Sequence, residues 1–221
     1  MVRRHFVSIA ALLLLVPFSS IADEPSPNVT DAEVAVLVKE VDLAQQTLLG
    51  LISGMTDEQW NFKQNPNRWS TGECVEHIAR TEVAILNAIK AVVAGPSDPQ
   101  WYEKTRDKNE FVRKTVLARN PGGAGSLFKA GGEVLPSENW DRARGIEEFY
   151  KAHGTLRAYI ETMPRDIKDN TFRNPFPSID WLNCHDWLLL ANLHVRRHSL
   201  QIGEIIADPN YPKNTSATGG E

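Results

Sequence analysis

His194 and His198 stand four residues apart in the segment 193–202, LHVRRHSLQI, near the end of a long stretch with helical apolar periodicity. On an α-helix their side chains lie about 40° apart, on the face that also carries Trp187 and Ile205. Their Cα atoms would be about 6 Å apart, so both imidazoles could bind one cation at roughly 2.1 Å. A bound cation offsets the cost of burying these polar rings. The spacing therefore indicates metal ligands, although two hydrogen-bonded core histidines would show the same spacing.

His77 offers a third imidazole on an earlier helix. Thr81, Ala84 and Ala88 fall within about 40° of it on a helical projection, so small side chains would leave space in front of the ring. No spacing rule connects the two helices, and the residues alone do not establish that the three rings meet. The hypothesis is a metal site formed by His77 together with the later pair.

Three neighbouring residues are weaker candidates. Gln201 lies one turn beyond His198 and could hydrogen-bond a molecule held at the metal, but packing would explain it equally well. Glu73 could reach the metal, yet it also closes the capping box STGE (70–73), which is the role we favour for it. Cys74 is a soft ligand or, as we favour, a small core residue.

Other polar residues on the same helices are predicted to lie outside the site. We expect neither His153 nor His185 to be a ligand, because His185 falls about 180° from His194 and should face outward or toward a connecting segment. Arg197 lies on the flank of the apolar stripe, from where its long side chain can reach solvent.

Four long helices are predicted to position these residues. Capping boxes at 30–33 (TDAE) and 70–73 (STGE) mark two helix starts, and glycine or proline follows each helix. The helices are predicted at 30–53, 71–94, 141–163 and 180–207. Residues 96–137 form a polar, glycine-broken connector with one short helix near 109–118, either a lid or a structural excursion closing one end. No strand is predicted, and the fold class is all-α: a four-helix bundle with a long irregular connector between helices two and three.

The two ends of the chain are predicted to lie outside the bundle. Residues 1–22 combine Arg3 and Arg4, an apolar run and small residues before a cleavage point, which is typical of a secretory signal, although a retained membrane anchor is the alternative. We predict a linker at 23–30, the bundle at 31–207 and a disordered tail at 208–221. The mature protein would be exported to the periplasm or outside the cell and would not enter a membrane.

The charge of the chain argues against nucleic acid as a partner. The formal charge is −4, and it becomes −6 when the signal removes two arginines and no acid. A mildly acidic chain without basic tracts is a poor match for phosphate backbones. A small-molecule substrate and a homodimer are the partners that we expect.

Cys74 and Cys184 are the only cysteines. If His77 and His194 lie at one level of the bundle, the rise along each helix separates the two sulfurs by about 10 Å for parallel helices or about 20 Å for antiparallel ones. Both separations exceed the reach of a disulfide. Both thiols should therefore be free.

The segments WSTGECVEHIARTE (69–82) and DWLLLANLHVRRHSLQIGEI (186–205) resemble the DinB/YfiT-like superfamily, in particular its DinB-like domains. The resemblance covers residues 31–207. It implies a four-helix bundle with an unusual helix order and a histidine triad that binds a divalent metal. Matched position by position, the triad falls on His77, His194 and His198. Zinc, nickel, iron and manganese all suit three histidines with open coordination positions.

The resemblance also implies a metal-dependent enzyme, either a Lewis-acid hydrolase or a thiol-dependent transferase. HVRRH lacks the glutamate of HExxH, so no general base is built into the motif. The alternative is a non-catalytic extracytoplasmic bundle that binds or senses metal, and a metal-free interaction module is a third hypothesis. An open cavity walled by Trp69, Trp187 and the glycine-rich connector would favour the enzyme.

Overall fold

The computed structural model describes residues 28–118 and 131–213. The predicted signal at 1–22, most of the predicted linker, the GGAG of the connector and the last eight residues lie outside the described residues. Seven α-helices and one β-hairpin occupy the described ranges: α1 Asp31–Ile52, α2 Asp57–Asn61, α3 Thr71–Val93, α4 Pro99–Thr105, α5 Asn109–Leu117, α6 Arg142–Thr162, β1 Thr171–Arg173, β2 Trp181–Asn183 and α7 Cys184–Ile206.

Helices α1, α3, α6 and α7 form the predicted four-helix bundle. Helix α3 packs against α6 and α7, α1 packs against the same two helices, and the short α5 packs against α7. Both predicted capping boxes form, since Thr30 bonds Glu33 and Ser70 bonds Glu73 in both directions. None of the helices in the described ranges combines the length and apolarity needed to span a lipid bilayer.

Two short helices escaped the sequence prediction. Helix α2 is only one turn long, although Thr56 and Gln59 form a capping box that marks its start. Helix α4 begins with Asp98 as its N-cap and Pro99 as its first residue, a pair that commonly opens helices. The connector is therefore more regular than predicted, and its one expected short helix is confirmed as α5.

The prediction that no strand exists was wrong. Strands β1 and β2 form a two-stranded antiparallel hairpin in which Phe172 pairs with Leu182. Each strand has three residues, too few for an alternating pattern to stand out. Helix α7 consequently starts at Cys184, not at Asp180, because Asn183 accepts a hydrogen bond from the N–H of Asp186 as its N-cap. Asp180 itself lies in the hairpin turn with a φ of 58°.

Residues just outside the predicted bundle range of 31–207 also pack against it. Val29, in the predicted linker, is buried, and its N–H donates to the carbonyl of Arg165. Beyond residue 207, where a disordered tail was expected, the Tyr211 ring contacts Phe62 edge-on, and the carbonyl of Pro212 accepts from Gln59.

A polar layer separates two apolar clusters of the bundle. Leu37, Leu86, Leu156 and Leu193 belong to one cluster, and Leu48, Ile78, Phe149 and Val195 belong to the other. On α3, α6 and α7 the residues between the two clusters include Glu82, His153 and His194, all of them in polar contacts. Such a layer fixes the relative level of the helices, because its hydrogen bonds form only in one register.

The Trp60 side chain of α2 packs against the start of α3. Its side chain is buried, and its indole N–H donates to the carbonyl of Trp140 at 2.9 Å. The ring lies directly against Gly72 on α3 and Gly145 on α6, and a Cβ added at Gly145 would be 2.6 Å from it. These two glycines are therefore required by close packing.

We expect Gly145→Ala to lower the free energy of unfolding by about 1–3 kcal/mol, because the added methyl group overlaps the indole of Trp60. Urea denaturation measures the change. Gly154→Ala on the same helix is the matched control, since nothing lies within 4 Å of the added Cβ there. The control should be neutral or slightly more stable. Equal stability of both variants would contradict the packing argument.

Candidate metal centre

The structure brings together the three histidines that the sequence singled out. His77 lies on α3, and His194 and His198 lie on α7. The Nε2 of His194 is 3.1 Å from the Nε2 of His77 and 3.1 Å from that of His198. One ligand atom from each ring falls within 4.8 Å of the other two. Two nitrogens that bind one zinc ion at about 2.1 Å cannot lie more than about 4.2 Å apart, so the two 3.1 Å separations are compatible with a shared ion.

Hydrogen bonds at the far side of two rings fix their tautomers. The Nδ1 of His77 lies 2.7 Å from the carbonyl of Val134, and the Nδ1 of His198 lies 3.1 Å from the Oε1 of Gln201. A carbonyl only accepts, so His77 must donate from Nδ1, and His198 does the same toward the amide oxygen. Both rings therefore present an Nε2 lone pair to His194.

The donor set fits a cation better than it fits a hydrogen-bonded cluster. Three Nε2 atoms meet, two of them carry lone pairs, and only His194 could place a proton between them. That proton can form a hydrogen bond to His77 or to His198, but not to both at once. The remaining contact then has no proton between its two nitrogens. In the described chain the Nδ1 of His194 is also buried without a hydrogen-bond partner. With its own proton on Nδ1, His194 also offers an Nε2 lone pair, and a divalent ion would bind all three Nε2 atoms at once.

Burial keeps His77 and His194 in the neutral form that binds metal. Burial lowers the pKa of His77 below its ordinary 6.5, although the hydrogen bond to Val134 partly opposes this. The pKa of His194 falls much further, first because of burial and then because His77 and Arg197 are close. Neutral imidazoles at neutral pH need lose no proton when they bind an ion.

The site opens onto a cavity of about 810 Å³. Trp69 forms one wall, with its ring centroid 4.8 Å from that of His77 and 6.0 Å from that of His198. Trp187 and Gly131, the described end of the glycine-rich connector, also line the cavity. The open cavity that we expected of an enzyme is therefore present in front of the three histidines.

Comparison with known proteins agrees with this architecture. The family model described as the DinB superfamily matches residues 40–202. The chain belongs to the DinB superfamily. Among solved structures it is similar to YfiT from Bacillus subtilis, described as a probable metal-dependent hydrolase with an unusual four-helix bundle topology, at a TM-score of 0.53 and 15% identity. The similarity covers 83% of this chain and 91% of YfiT. No curated protein matches the chain significantly.

A buried carboxylate that the sequence did not reveal supports the His77 side of this DinB site. Glu76 is completely buried, and its Oε1 accepts from the backbone N–H groups of Ser137 and Glu138 at 2.8 and 3.0 Å. These bonds hold the segment that carries Val134, the acceptor for the His77 ring. Position 76 follows no motif, so only the packing of this segment identifies it.

Gln201 lines the cavity, and its Oε1 lies 3.1 Å from the Nδ1 of His198. We expect Gln201→Leu to weaken metal affinity by roughly 10- to 100-fold, because the Nδ1–H of His198 loses its acceptor and the ring its fixed orientation. Competition with a chromophoric chelator measures the affinity. Gln201→Glu keeps an acceptor at this position and should retain tight binding. Unchanged affinity in Gln201→Leu would show that the contact is packing alone.

Glu73 and Cys74 take the roles that we favoured for them, a helix cap and a core residue, and not the role of metal ligand. Glu73 completes the capping box and also pairs with Lys63 at 2.7 Å, so it is committed away from the histidines. Cys74 and Cys184 are both buried, and they form no disulfide with each other, as expected. Burial raises the pKa of the Cys184 thiol to about 12.

The structure narrows one predicted orientation on α7 and contradicts another. His185, predicted to face outward or toward a connecting segment, is buried, so it does not face solvent. Arg197 is buried too, and its Nη1 donates to the carbonyls of Val116 and Ala118 at 2.9 and 2.6 Å. A helical projection treats the flank as open, but α5 packs there and supplies these acceptors.

Proposed function

We propose that this DinB protein is a divalent-metal-dependent enzyme that acts on a small molecule, by hydrolysis or by thiol-dependent transfer. The observation that carries the proposal is the meeting of three Nε2 atoms at the wall of an 810 Å³ cavity. YfiT, which shares the fold, is described as a probable metal-dependent hydrolase. Volumes of this size are typical of sites for small ligands.

Different residues of the chain would bind the metal, orient its ligands and cover the site. His77, His194 and His198 would hold zinc, nickel, iron or manganese, which would supply Lewis-acid activation of a substrate heteroatom or of water. Val134 and Gln201 keep two of the rings in the ligand tautomer. The Trp69 ring packs against the His77 and His198 rings on one side of the histidine cluster.

One observation favours a second candidate function. Among the described residues that line the cavity, none is Asp or Glu, so no carboxylate is placed there to act as a general base. A non-catalytic bundle that binds or senses metal would need the triad and no base. A thiol-dependent transfer would also need none from the protein if the thiol binds as thiolate.

Turnover by protein of known metal content distinguishes the two functions. The full chain is stripped with a chelator, reloaded with each of the four metals, and assayed with ester, amide and thiol-transfer substrates. We expect activity that returns with one metal and is absent from His77→Ala. A protein that binds one ion per chain yet turns over none of these substrates would support the binding or sensing function instead.

Export is part of the proposal as well. The signal-like residues 1–22 would place the mature protein in the periplasm or outside the cell, in soluble form after cleavage and without nucleic acid as a partner. N-terminal sequencing of the protein from fractionated cells tests this. An intact Met1 would contradict cleavage. Size-exclusion chromatography with light scattering tests the proposed homodimer.

A further inference from the structure

The cavity wall changes from polar to apolar along α3 and α7, the two helices that carry the histidines. These helices run antiparallel, because Asn170 donates to the carbonyl of Val92 at the end of α3 and accepts from the N–H of Cys184 at the start of α7. Residues before His77 and residues after His194 therefore lie at the same end of the cavity. The cavity residues at this polar end include Asn67, Arg68 and Gln201.

The opposite end of the cavity is apolar. Going from His77 toward the end of α3, Thr81 is the last polar residue that the helix places on the cavity wall. Going from His194 toward the start of α7, the cavity residues of the helix are apolar from the first one onward. Five residues of the two helices form this apolar end: Ala84, Ile85 and Ala88 on α3, and Leu190 and Trp187 on α7. Two buried residues from other elements, Val116 and Ile179, also line the cavity.

The apolar end is as long as a medium-length hydrocarbon chain. Ala84 and Ala88 lie seven and eleven residues after His77, and Trp187 lies seven residues before His194. At the rise of an α-helix, seven and eleven residues correspond to about 10 and 16 Å. An extended hydrocarbon chain with bonds of about 1.5 Å advances about 1.3 Å per carbon, so about eight carbons span the shorter distance. Ala84 is exposed and Ala88 is half-buried, so small side chains leave the α3 wall open along this length.

The charged side chains of the described lining are already bound to groups of the protein. Arg68 pairs with Glu204 at 3.2 Å. Arg173 pairs with Asp180 at 3.1 Å, and Arg197 donates to two backbone carbonyls at the end of α5. An anionic ligand would have to compete with these partners. The lining therefore favours a neutral ligand over an ion.

The aromatic residues next to the apolar end offer little to a flat ligand. Phe172 and Trp187 stack on each other, with ring centroids 4.3 Å apart and an interplanar angle of 3°. Each ring therefore already has a stacking partner within the protein. Ile85 and Leu190, both buried, present aliphatic side chains instead. An aliphatic chain matches such walls, because its burial needs only apolar area and no particular ring geometry.

We propose that the substrate carries a neutral, unbranched hydrocarbon chain of about eight carbons, which lies along Ala84 and Leu190 in the apolar end. The polar group of the substrate lies at the three histidines. This inference rests on the proposed function, because it assigns the substrate class to the same histidine site. The substrate is therefore amphipathic, and it reacts at the polar end of its chain.

A series of alcohols tests the proposal in the wild-type protein. 1-Butanol, 1-hexanol and 1-octanol are titrated into the full chain by isothermal calorimetry, in zinc-loaded and in metal-free form. We expect one site per chain in both forms, with an affinity that rises about tenfold for every two carbons, because each methylene group is removed from water. An affinity that does not depend on chain length would overturn the proposal.

1,8-Octanediol tests whether the far end of the chain meets apolar walls. It has the length of 1-octanol, but its second hydroxyl would be buried in the apolar end without a polar partner. We expect it to bind about tenfold more weakly than 1-octanol. Equal affinities would show that the far end of the chain stays in water, which contradicts the proposed position.

Ala84→Leu locates the chain in the cavity. Position 84 lies about 10 Å along α3 from His77, and a helical leucine leans back toward the N-terminus of its helix, so its side chain would shorten the apolar end. The variant should bind 1-octanol about tenfold more weakly and leave 1-butanol unchanged. Ala91→Leu is the matched control, because Ala91 is also an exposed alanine of α3 but does not line the cavity. If Ala84→Leu does not fold, the wild-type series and the diol decide.

The outcomes separate this inference from the proposed function. Protein that carries one ion per chain but binds the three alcohols equally overturns the inference and leaves the metal site intact. A dependence on chain length that is the same in Ala84→Leu, in Ala91→Leu and in the wild type overturns the position of the chain. Protein that never binds metal but shows the dependence, and loses it in Ala84→Leu, supports the inference and contradicts the proposed function.

Discussion

His194→Ala is expected to abolish stoichiometric metal binding, from about one divalent ion per chain to none. His194 is the central ring, and its Nε2 lies 3.1 Å from both of the other Nε2 atoms. Its removal leaves two histidines on different helices with an unfilled space between them. Loss of one of three protein ligands should lower affinity by far more than the roughly 10- to 100-fold typical of residues that only orient a ligand. Elemental analysis after dialysis against buffer of known metal content measures the effect.

The same variant should barely change the stability of the metal-free protein. His194 faces the cavity, and its Nδ1 is a buried donor or acceptor without a partner among the described residues, so its removal also relieves a cost. Added metal should raise the free energy of unfolding of the wild type, by about 2.7 kcal/mol at a hundredfold excess over Kd, and should leave His194→Ala unchanged. His185→Gln, at another buried histidine of α7, is the control and should keep the ion. Full occupancy in His194→Ala would refute the assignment of the site.

The pKa shifts set the direction of the pH dependence of this site. The pKa values of His77 and His194 are lowered below 6.5, so the folded protein holds fewer protons there than the unfolded chain does. The free energy of unfolding of the metal-free protein therefore falls as the pH drops below about 6.5. Metal should be retained somewhat below pH 6.5, because protons compete weakly for these rings, and be released at lower pH.

Glu82→Ala is expected to lower the free energy of unfolding by about 3–5 kcal/mol, because it leaves the buried His153 ring without its carboxylate partner. The Oε1 of Glu82 on α3 lies 2.6 Å from the Nδ1 of His153 on α6, and both side chains are about 1% exposed. The Nε2 of His153 donates to the carbonyl of Val41 on α1 at 3.0 Å. One proton is therefore shared between Nδ1 and the carboxylate, and the contact connects three of the four long helices.

The His153–Glu82 pair should make the protein less stable at alkaline pH. Burial lowers the pKa of His153, but the hydrogen bond and charge of Glu82 outweigh it and raise the pKa above 6.5. Burial raises the pKa of Glu82 by more than His153 lowers it. Both directions mean that the folded state holds more protons, so the stabilisation is complete below about pH 6.5 and is lost as the pH rises through the folded pKa of His153.

Urea unfolding of the metal-free protein between about pH 5.5 and 8.5 tests both parts of this prediction. Glu82→Gln offers an amide N–H that can donate to the Nδ1 of the neutral His153 ring, so it should be less destabilising than Glu82→Ala and should lose the alkaline decline. Glu147→Gln, at an exposed position of α6, is the control and should stay within about 0.5 kcal/mol of the wild type. An alkaline decline that persists in Glu82→Gln would show that another group causes it.

The sequence by itself determined the four long helices and the faces that they bury. Apolar periodicity and capping boxes depend only on neighbours within a few turns, so the starts of α1 and α3 and the position of α5 were correct. The same local reasoning placed His194 and His198 on one face of α7. Resemblance to the DinB superfamily then identified His77 as their companion, and the structure brings the three rings together.

Only the tertiary structure decided the features that depend on contacts between distant segments. The three-residue strands of the hairpin are stable because Phe172 packs on Trp187, and no pattern within the strands indicates this. The burial of Arg197 and His185 depends on which elements cover α7, and the pairing of Glu82 with His153 depends on the register between α3 and α6. Local rules fix where a side chain points on its own helix. The groups that the side chain contacts there are set by packing between elements far apart in the chain. The same packing sets the tautomers of His77 and His198.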